Sequence, residues 1–363
     1  MNETRQAAAA GKSVDVVIPM RNGAKTIGAT LASVFAQTVQ PRRIIVVDDG
    51  STDGGAALIG GDPLVEVVQT PPLGVSHARN VGMKASRADY IAYLDCDDLW
   101  RPDKLERQLE IVARDDTVDA VMCDQLHLRM DGTLIPWTKD APRLSGDIFE
   151  DLLATCFMQE GWSSSILVRR GALLGSGGFD ERLRFGEDLD LCLRLARTCV
   201  FGYSPECLTF IRENPESTTR KPTSPEEHLE IALQRLSVIE KWIPGRNLID
   251  PIFAQCARLV LVKFARGPMR YDRLMAFRLE LANRAPGLAA KIAGDETRFV
   301  LILAMFAILQ FPRLAIAGFR YWAKGGSFRR AAGSRRVVAR RLHWRGGFRS
   351  PVPLGNVSDV RPQ

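Results

Sequence analysis

The sequence lacks paired cysteines. Its seven cysteines are scattered through 363 residues without a CxxC pair. An odd number of cysteines without the spacing of a disulfide framework is typical of a protein from a reducing compartment. We therefore expect a cytoplasmic protein and no disulfide scaffold.

Long hydrophobic runs are lacking as well. Residues 1–13 are polar and Ala-rich with no apolar segment, so we expect no secretory signal. The longest apolar run, Phe299 to Leu309, has eleven residues before Gln310 and Pro312 interrupt the pattern. A membrane-spanning helix needs about 20 apolar residues, so this run predicts a core or interfacial helix.

Acidic residues are missing near the end of the chain. Between Arg298 and Arg349 there are twelve Lys or Arg residues and no Asp or Glu, although the net charge of the whole chain is only +7. Such a segment is attracted to an anionic surface, either lipid headgroups or a nucleic acid. We expect an anionic membrane surface, with the protein peripheral at the inner face of the cell membrane. No nucleic acid is expected, because few aromatic residues interleave with these charges.

Strands and helices alternate regularly in the first third of the chain. The apolar patterns predict strands at 14–19, 44–47, 64–68, 90–94 and 118–123, and helices at 25–37, 53–59, 75–86 and 102–113. This alternation predicts an α/β fold, Rossmann-like, with a mostly parallel sheet flanked by helices. A polar, Pro-rich stretch at 213–225 predicts a boundary. We expect a main domain at 13–215, a helical C-terminal region at 225–322 and a basic, partly flexible tail at 323–363.

Carboxylates cluster where two predicted strands end. Asp48 and Asp49 follow one strand, and Asp95, Asp97 and Asp98 follow another. In open parallel sheets, ligands bind beyond the carboxyl ends of the strands. Asp95 and Asp97 are two residues apart and can face one ligand, and oxygen ligands on one face suit Mg²⁺ or Mn²⁺. The alternative is an acid-rich turn with no ligand.

Other candidate residues also have two interpretations. The segment 48–53, which contains Asp48 and Asp49, can form a turn in which Ser51 or Asp53 caps the next helix, instead of binding a ligand. Acids at 187–190 open a predicted helix, where the helix dipole favours them, but a carboxylate there can also act as a general base. Arg79 is either a surface charge or a ligand for phosphate.

Seven segments carry a recognisable pattern in order along the chain. They are 16–22 (VVIPMRN), 33–38 (SVFAQT), 45–53 (IVVDDGSTD), 78–82 (ARNVG), 90–98 (YIAYLDCDD), 177–181 (GGFDE) and 186–188 (GED). Together they resemble the family 2 glycosyltransferases, which have the GT-A fold, use nucleotide sugars and invert the anomeric carbon. The resemblance covers residues 13–215 and makes this the expected glycosyltransferase domain.

The resemblance implies roles for residues on the donor side. Pro19 and Asp49 would hold the nucleotide base, and Asp95 would lie near the ribose or the sugar. Asp97 would ligate the Mg²⁺ or Mn²⁺ ion that bridges the diphosphate. Arg79 would lie along the donor.

The resemblance also assigns the acceptor side. Asp188 would be the base that deprotonates the acceptor hydroxyl, with Glu187 and Asp190 beside the acceptor. Arg212 would contact the donor, although Asn214 stands where many members carry a His. A second departure is Arg21, which stands where the family usually has an aromatic residue.

The expected partners follow from this family. They are a nucleotide-sugar donor, with UDP as the expected nucleotide, and a saccharide or polyprenyl-linked saccharide acceptor for a cell-surface polysaccharide. One alternative is a nucleic-acid-binding protein that uses the Arg-rich C-terminus. Another is a nucleotidyltransferase, which would need a Gly-rich basic loop after the first strand. The segment at that position, 20–23 (MRNG), has only one glycine and one arginine.

Overall fold

The computed structural model describes residues 11–136, 145–149, 152, 162–214, 234, 238, 241 and 242. The predicted helical region and basic tail lie outside the described residues, apart from those last four positions. The division of the chain into three parts, and the membrane contact of the tail, therefore stay predictions. Within the described ranges no helix is long and apolar enough to cross a membrane.

Nine strands of the described residues form one sheet. They are β1 (Val14–Met20), β2 (Arg43–Asp49), β3 (Val65–Thr70), β4 (Tyr90–Tyr93), β5 (Leu99–Trp100), β6 (Val118–Leu128), β7 (Leu134–Pro136), β8 (Leu167–Arg169) and β9 (Val200–Arg212). The first four are parallel in the order β3-β2-β1-β4, as the alternating pattern predicts. The rest of the sheet is mixed, with β8 antiparallel between β4 and β6 and with β9 parallel to β6.

Helices flank this sheet and differ from the predicted ones mainly at their ends. They are α1 (Ile27–Phe35), α2 (Val75–Ala85), α3 (Lys104–Arg114), α4 (Trp162–Ser165), α5 (Arg170–Gly175) and α6 (Glu187–Ala196). Only a short 3₁₀ turn, Gly55–Leu58, takes the place of the helix predicted at 53–59. Pro102 precedes α3 and does not lie inside it, because a turn from Arg101 to Lys104 leads into the helix.

The hydrophobic core lies on both faces of the sheet. Along β1, Val16 and Ile18 point to the face covered by α1 and α3, whereas Val17 points to the face covered by α2 and α6. All three side chains are fully buried. A central parallel strand is covered on both faces, which is why 14–19 is a nearly continuous apolar run without strict alternation.

Two helical glycines provide a matched test of this packing. A Cβ at Gly82 of α2 would lie 2.3 Å from Cγ1 of Val17, whereas a Cβ at Gly28 of α1 would have no atom within 4 Å. We expect Gly82→Ala to lower the free energy of unfolding by about 1–3 kcal/mol through overpacking. Gly28→Ala should raise it by about 0.5–1 kcal/mol, because alanine loses less backbone entropy in a helix. Chemical denaturation measures both, and equal effects of the two substitutions would contradict the packing of α2 on β1.

Candidate active site

The two acids at the end of β2 have different partners. Asp48 closes the following turn, because its Oδ1 accepts a hydrogen bond from the backbone N of Ser51 at 2.9 Å. Asp49 accepts hydrogen bonds from the backbone N of Leu73 at 2.8 Å and of Gly74 at 3.0 Å. The turn interpretation therefore describes Asp48, while Asp49 joins the β2 end to the loop before α2.

Pro19 and Arg21 lie at the end of β1, next to β2. Pro19 pairs in register with Val47 of β2, beyond the last β1 residue that pairs with β4. Arg21 is more than half exposed, and its Nη1 lies 3.7 Å from Oδ2 of Asp49. The ends of β1 and β2 thus place the buried Asp49 carboxylate next to an exposed guanidinium.

The three acids after β4 have three different environments. Asp95 is partly exposed, with 29% of its side chain accessible. Burial raises the pKa of Asp97, while a hydrogen bond from Nδ2 of Asn214 at 3.0 Å acts in the opposite direction. Asp98 is buried, and its carboxylate accepts hydrogen bonds from Oγ of Ser164 at 2.6 Å and the backbone N of Arg212 at 3.1 Å. Burial and the neighbouring acids raise its pKa well above the usual range.

Asp95 and Asp97 offer the oxygen donors that a hard divalent cation prefers. In the described part of the chain no three His, Cys, Asp or Glu side chains surround one metal position. Mg²⁺ is commonly held by one or two protein carboxylates together with substrate phosphates and water. The residues present therefore fit an ion whose coordination shell is completed by a phosphate ligand. Asp98 does not fit, because its side chain is buried, whereas Asp95 and Asp97 are partly exposed.

Arg79 of α2 is the buried cation of this region, with only 5% of its side chain exposed. Its Nη2 lies 2.8 Å from Oδ1 of Asp95 and 3.0 Å from Oγ of Ser163, and its Nη1 lies 3.1 Å from Oε1 of Glu187. Burial acts to lower its pKa, but Asp95, Glu187 and Asp188 outweigh that effect and raise it. The interpretation of Arg79 as a surface charge is therefore wrong.

Helix α6 brings a second pair of acids to Arg79. The helix begins after Gly186, which has a φ of 80°, a backbone conformation that glycine adopts without a steric penalty. Burial raises the pKa of Glu187 to about 7, the charge of Asp188 adds to this, and Arg79 opposes it. Asp188 is partly exposed, and its Oδ1 accepts a hydrogen bond from the backbone N of Leu189 at 2.7 Å. A partly exposed carboxylate next to a largely buried acid is a reasonable proton acceptor.

Asp190 has different neighbours. Its Oδ2 lies 2.7 Å from Nη2 of Arg194, and its Oδ1 lies 3.3 Å from Nζ of Lys241. The contacts described for Asp190 are thus ion pairs within α6 and with Lys241, and they do not include Arg79 or Asp95. Of the three acids predicted on the acceptor side, Glu187 and Asp188 lie near Arg79 in the structure.

The end of β9 supplies residues next to Asp97. The guanidinium of Arg212 donates to the backbone oxygens of Asp97 and of Thr26, the latter at 3.2 Å, and to Oγ1 of Thr30 at 3.1 Å. Asn214 donates to the Asp97 carboxylate. Sequence reasoning assigned no role to Asn214, Ser163 or Ser164. Ser163 and Ser164 belong to a run of three serines at 163–165, next to the fully buried Trp162. This run is the sequence feature that could have indicated their role.

The sequence of this chain is similar to those of known glycosyltransferases. A family model described as glycosyl transferase family 2 matches residues 15–172. The uncharacterized glycosyltransferase EpsJ of Bacillus subtilis is 31% identical over 233 residues, which cover 60% of this chain and 66% of that protein. Chondroitin synthase of Pasteurella multocida is 28% identical over 194 residues, which cover 52% of this chain and 19% of that protein.

Solved structures give the same fold. The crystal structure of S. aureus TarS 1-349 in complex with UDP-GlcNAc superposes with a TM-score of 0.59 at 17% sequence identity, covering 87% of this chain and 93% of that one. At this level of identity the likeness shows the fold alone.

Residues 15–172 are therefore similar to glycosyl transferase family 2, a family of transferase enzymes, and the described residues have the GT-A fold. The matched residues 15–172 include Arg79 and the acids after β4 and end before α6. The chain spans 66% of the length of EpsJ and 19% of the length of the chondroitin synthase.

The raised pKa of Glu187 predicts a pH-dependent stability. Its pKa is about 7 in the folded protein against an ordinary value of 4.5. Between those values the folded state binds more protons than the unfolded state, so this residue makes the free energy of unfolding fall as pH rises. The glutamine in Glu187→Gln cannot ionise. The unfolding midpoint of this variant minus that of the wild type should therefore increase as the pH is raised from about 5 to about 8.

A matched control is Asp89→Asn, which removes a carboxylate whose pKa is lowered by hydrogen bonds from Ser13. Its midpoint relative to the wild type should stay flat over the same range, because Asp89 is ionised throughout. Thermal unfolding at several pH values measures both variants. A flat difference for Glu187→Gln would contradict the raised pKa.

Proposed function

We propose that this chain is an inverting glycosyltransferase that transfers a sugar from a nucleotide-diphosphate donor to a hydroxyl group of a saccharide or lipid-linked saccharide. One observation carries the proposal: Arg79 joins Asp95, at the end of β4, to Glu187, at the start of α6. The acid near Asp97, the proposed cation ligand, and the acid next to Asp188, the proposed base, are therefore bonded to one guanidinium. Transfer of a sugar to a hydroxyl needs both a cation at the leaving group and a base at the acceptor.

The nucleotide base would bind at the ends of β1 and β2. Pro19 pairs with Val47, two residues before Asp49, and a carboxylate is a suitable acceptor for the N–H group of a base. UDP is the nucleotide we propose, because UDP and UDP-GlcNAc are named in the descriptions of the TarS structures with the same fold. Arg21 would face the base or the phosphates from the exposed side of Asp49.

The diphosphate would lie over Asp95 and Asp97. Mg²⁺ or Mn²⁺ bound by Asp97 would neutralise the negative charge that develops on the leaving nucleoside diphosphate. Asp95 would orient the ribose or the sugar, and Arg212 would hold the Asp97 loop through its hydrogen bonds to the backbone. Asn214 would orient the Asp97 carboxylate for the cation, because its amide donates a hydrogen bond to that carboxylate.

Asp188 would act as the base for the acceptor. A sugar hydroxyl is a weak nucleophile until a carboxylate takes its proton during attack on the anomeric carbon. The C1–O bond to the acceptor forms as the C1–O bond to the diphosphate breaks, and the configuration at C1 is inverted. Glu187 would stay inside the cluster beside Arg79, where it supports the position of Asp188.

The acceptor and the place of action are proposed from the relatives. Chondroitin synthase and hyaluronan synthase of Pasteurella multocida are polysaccharide synthases by name. A polyprenyl-linked saccharide used for a cell-surface polysaccharide is therefore the acceptor we propose, at the inner face of the cell membrane. The basic tail that would contact anionic lipid lies outside the described residues.

Loss of the metal ligand gives the first functional prediction. Asp97→Ala should abolish sugar transfer and remove the Mn²⁺-dependent part of UDP binding, because the cation would lose its carboxylate. Calorimetric titration of UDP with and without Mn²⁺ measures this, with Asp62→Ala as an exposed control. Transfer activity of the wild type that survives EDTA, or unchanged Mn²⁺-dependent binding by Asp97→Ala, would refute the metal assignment.

Loss of the base should have a different signature. Asp188→Asn should keep UDP and Mn²⁺ binding while kcat falls on the order of 10²–10⁴-fold, the usual contribution of general-base catalysis. Asp190→Asn provides the comparison, since it removes the ion pair with Arg194 and should lower stability more than kcat. If Asp190→Asn instead were the inactive and stable variant, the base would lie two residues further along α6.

A further inference from the structure

Two adjacent side chains of α2, Arg79 and Asn80, are buried, and both contact segments distant in sequence. Arg79 bonds to Asp95 after β4, to Ser163 in α4 and to Glu187 in α6. These contacts are 16, 84 and 108 residues away along the chain. Both Nη atoms of the guanidinium are engaged by protein atoms.

Asn80 binds the loop that leads into α6. Its Nδ2 donates to the backbone oxygen of Phe179 at 2.9 Å and to Oε1 of Glu181 at 2.8 Å. Its Oδ1 accepts from the backbone N of Phe179 at 2.8 Å. An amide that both donates to and accepts from one residue fixes the backbone there, so the path of this loop depends on Asn80.

The two sets of contacts meet at the ring of Phe179. The Arg79 guanidinium lies 5.1 Å from the ring centroid, and the ring packs edge-on against Tyr93 of β4 at 5.4 Å. The preceding residue, Gly178, has a φ of 72°, and a Cβ there would lie 2.5 Å from Oδ1 of Asn80. The loop therefore sits close against α2 at this point.

We propose that Arg79 and Asn80 are positioning residues that hold the start of α6 at a fixed distance from Asp95. We call this pair the Arg79–Asn80 clamp. Arg79 acts through Asp95 and Glu187 and does not bind the donor itself. The inference rests on the proposed function, because it takes Asp95 as the donor side and Asp188 as the acceptor side of one reaction. The clamp sets the separation between them.

The chemistry of arginine suits this role. A guanidinium presents its donors in a rigid planar fork and can bond to two carboxylates at once, whereas a lysine ammonium is a point charge. Misplacing a reacting group by about 1 Å can lower the rate on the order of 10²-fold. Arg79→Lys keeps the positive charge but loses the planar set of donors. This variant therefore distinguishes the positioning effect of Arg79 from the effect of its charge.

The first arm of the experiment measures catalysis with UDP-GlcNAc as the probe donor and release of UDP as the signal. Arg79→Met, Arg79→Lys and Asn80→Ala should each lower kcat roughly 10–100-fold while KM for the donor changes by less than about 3-fold. Arg169→Met is the matched control, because it removes an Arg–carboxylate pair with Asp119 and a ring contact with Tyr90 at the opposite end of β4. It should change neither constant.

The second arm uses the pH profile of kcat/KM. The groups that face Glu187 are Arg79, Asp188 and, through Arg79, Asp95. A nearby positive charge lowers the pKa of an acid by roughly 1–3 units. Removing that charge in Arg79→Met should therefore raise the pKa that governs the low-pH limb of the profile, and this limb should move to higher pH by about one unit or more.

The third arm does not depend on activity. Hydrogen–deuterium exchange in peptides covering 177–190 should become faster in Arg79→Met and Asn80→Ala and stay unchanged in Arg169→Met. This arm still tests the clamp if UDP-GlcNAc is not turned over, in which case the donor assignment fails separately. If Arg79→Met does not fold, Arg79→Lys and Asn80→Ala carry the test.

Two results would overturn the clamp. One is a rise in donor KM by more than about tenfold in Arg79→Lys with kcat unchanged, which would make Arg79 a donor ligand. The other is exchange in 177–190 that matches the wild type in both Arg79→Met and Asn80→Ala.

Discussion

The site depends on one buried cation among carboxylates from separate elements. Placing a charge inside a protein is unfavourable unless an opposite charge pairs with it. Arg79 is paired with Asp95 and Glu187, and Asp188 adds to the field around it. Without the cation, acids from β4 and α6 would repel each other and the loop before α6 would lose a contact. One residue thus neutralises and connects the two halves of the site.

The sheet topology makes this convergence possible. The parallel strands β1, β2 and β4 end at one edge, where β1 and β2 carry the residues proposed to bind the nucleotide and β4 is followed by the acids. The mixed half of the sheet adds β9, whose end at Arg212 donates a backbone N–H to Asp98. Asp98 is therefore a buried structural acid behind the two carboxylates that can face a cation. The acids at 95, 97 and 98 thus differ in burial although they are close in sequence.

The sequence was sufficient for the parts of the site that local pattern determines. Strands ending in acids place Asp49, Asp95 and Asp97 at one sheet edge by the rule for parallel sheets, and the structure agrees. Local pattern could not place Arg79, because nothing near it in sequence shows that its partners lie in β4 and α6. For the same reason it could not separate Asp188 from Asp190, whose contacts depend on Arg194 and on Lys241, 51 residues away.

A crystal structure of the chain with UDP and Mn²⁺ tests this account most directly. We expect Mn²⁺ to bind the Asp97 carboxylate and the diphosphate, the base of UDP to lie against Asp49, and Asp188 to face the open side of the diphosphate. Arg79 should keep its pairs with Asp95 and Glu187. Mn²⁺ bound away from Asp97, or a guanidinium of Arg79 that has left both acids to bind the diphosphate, would contradict it.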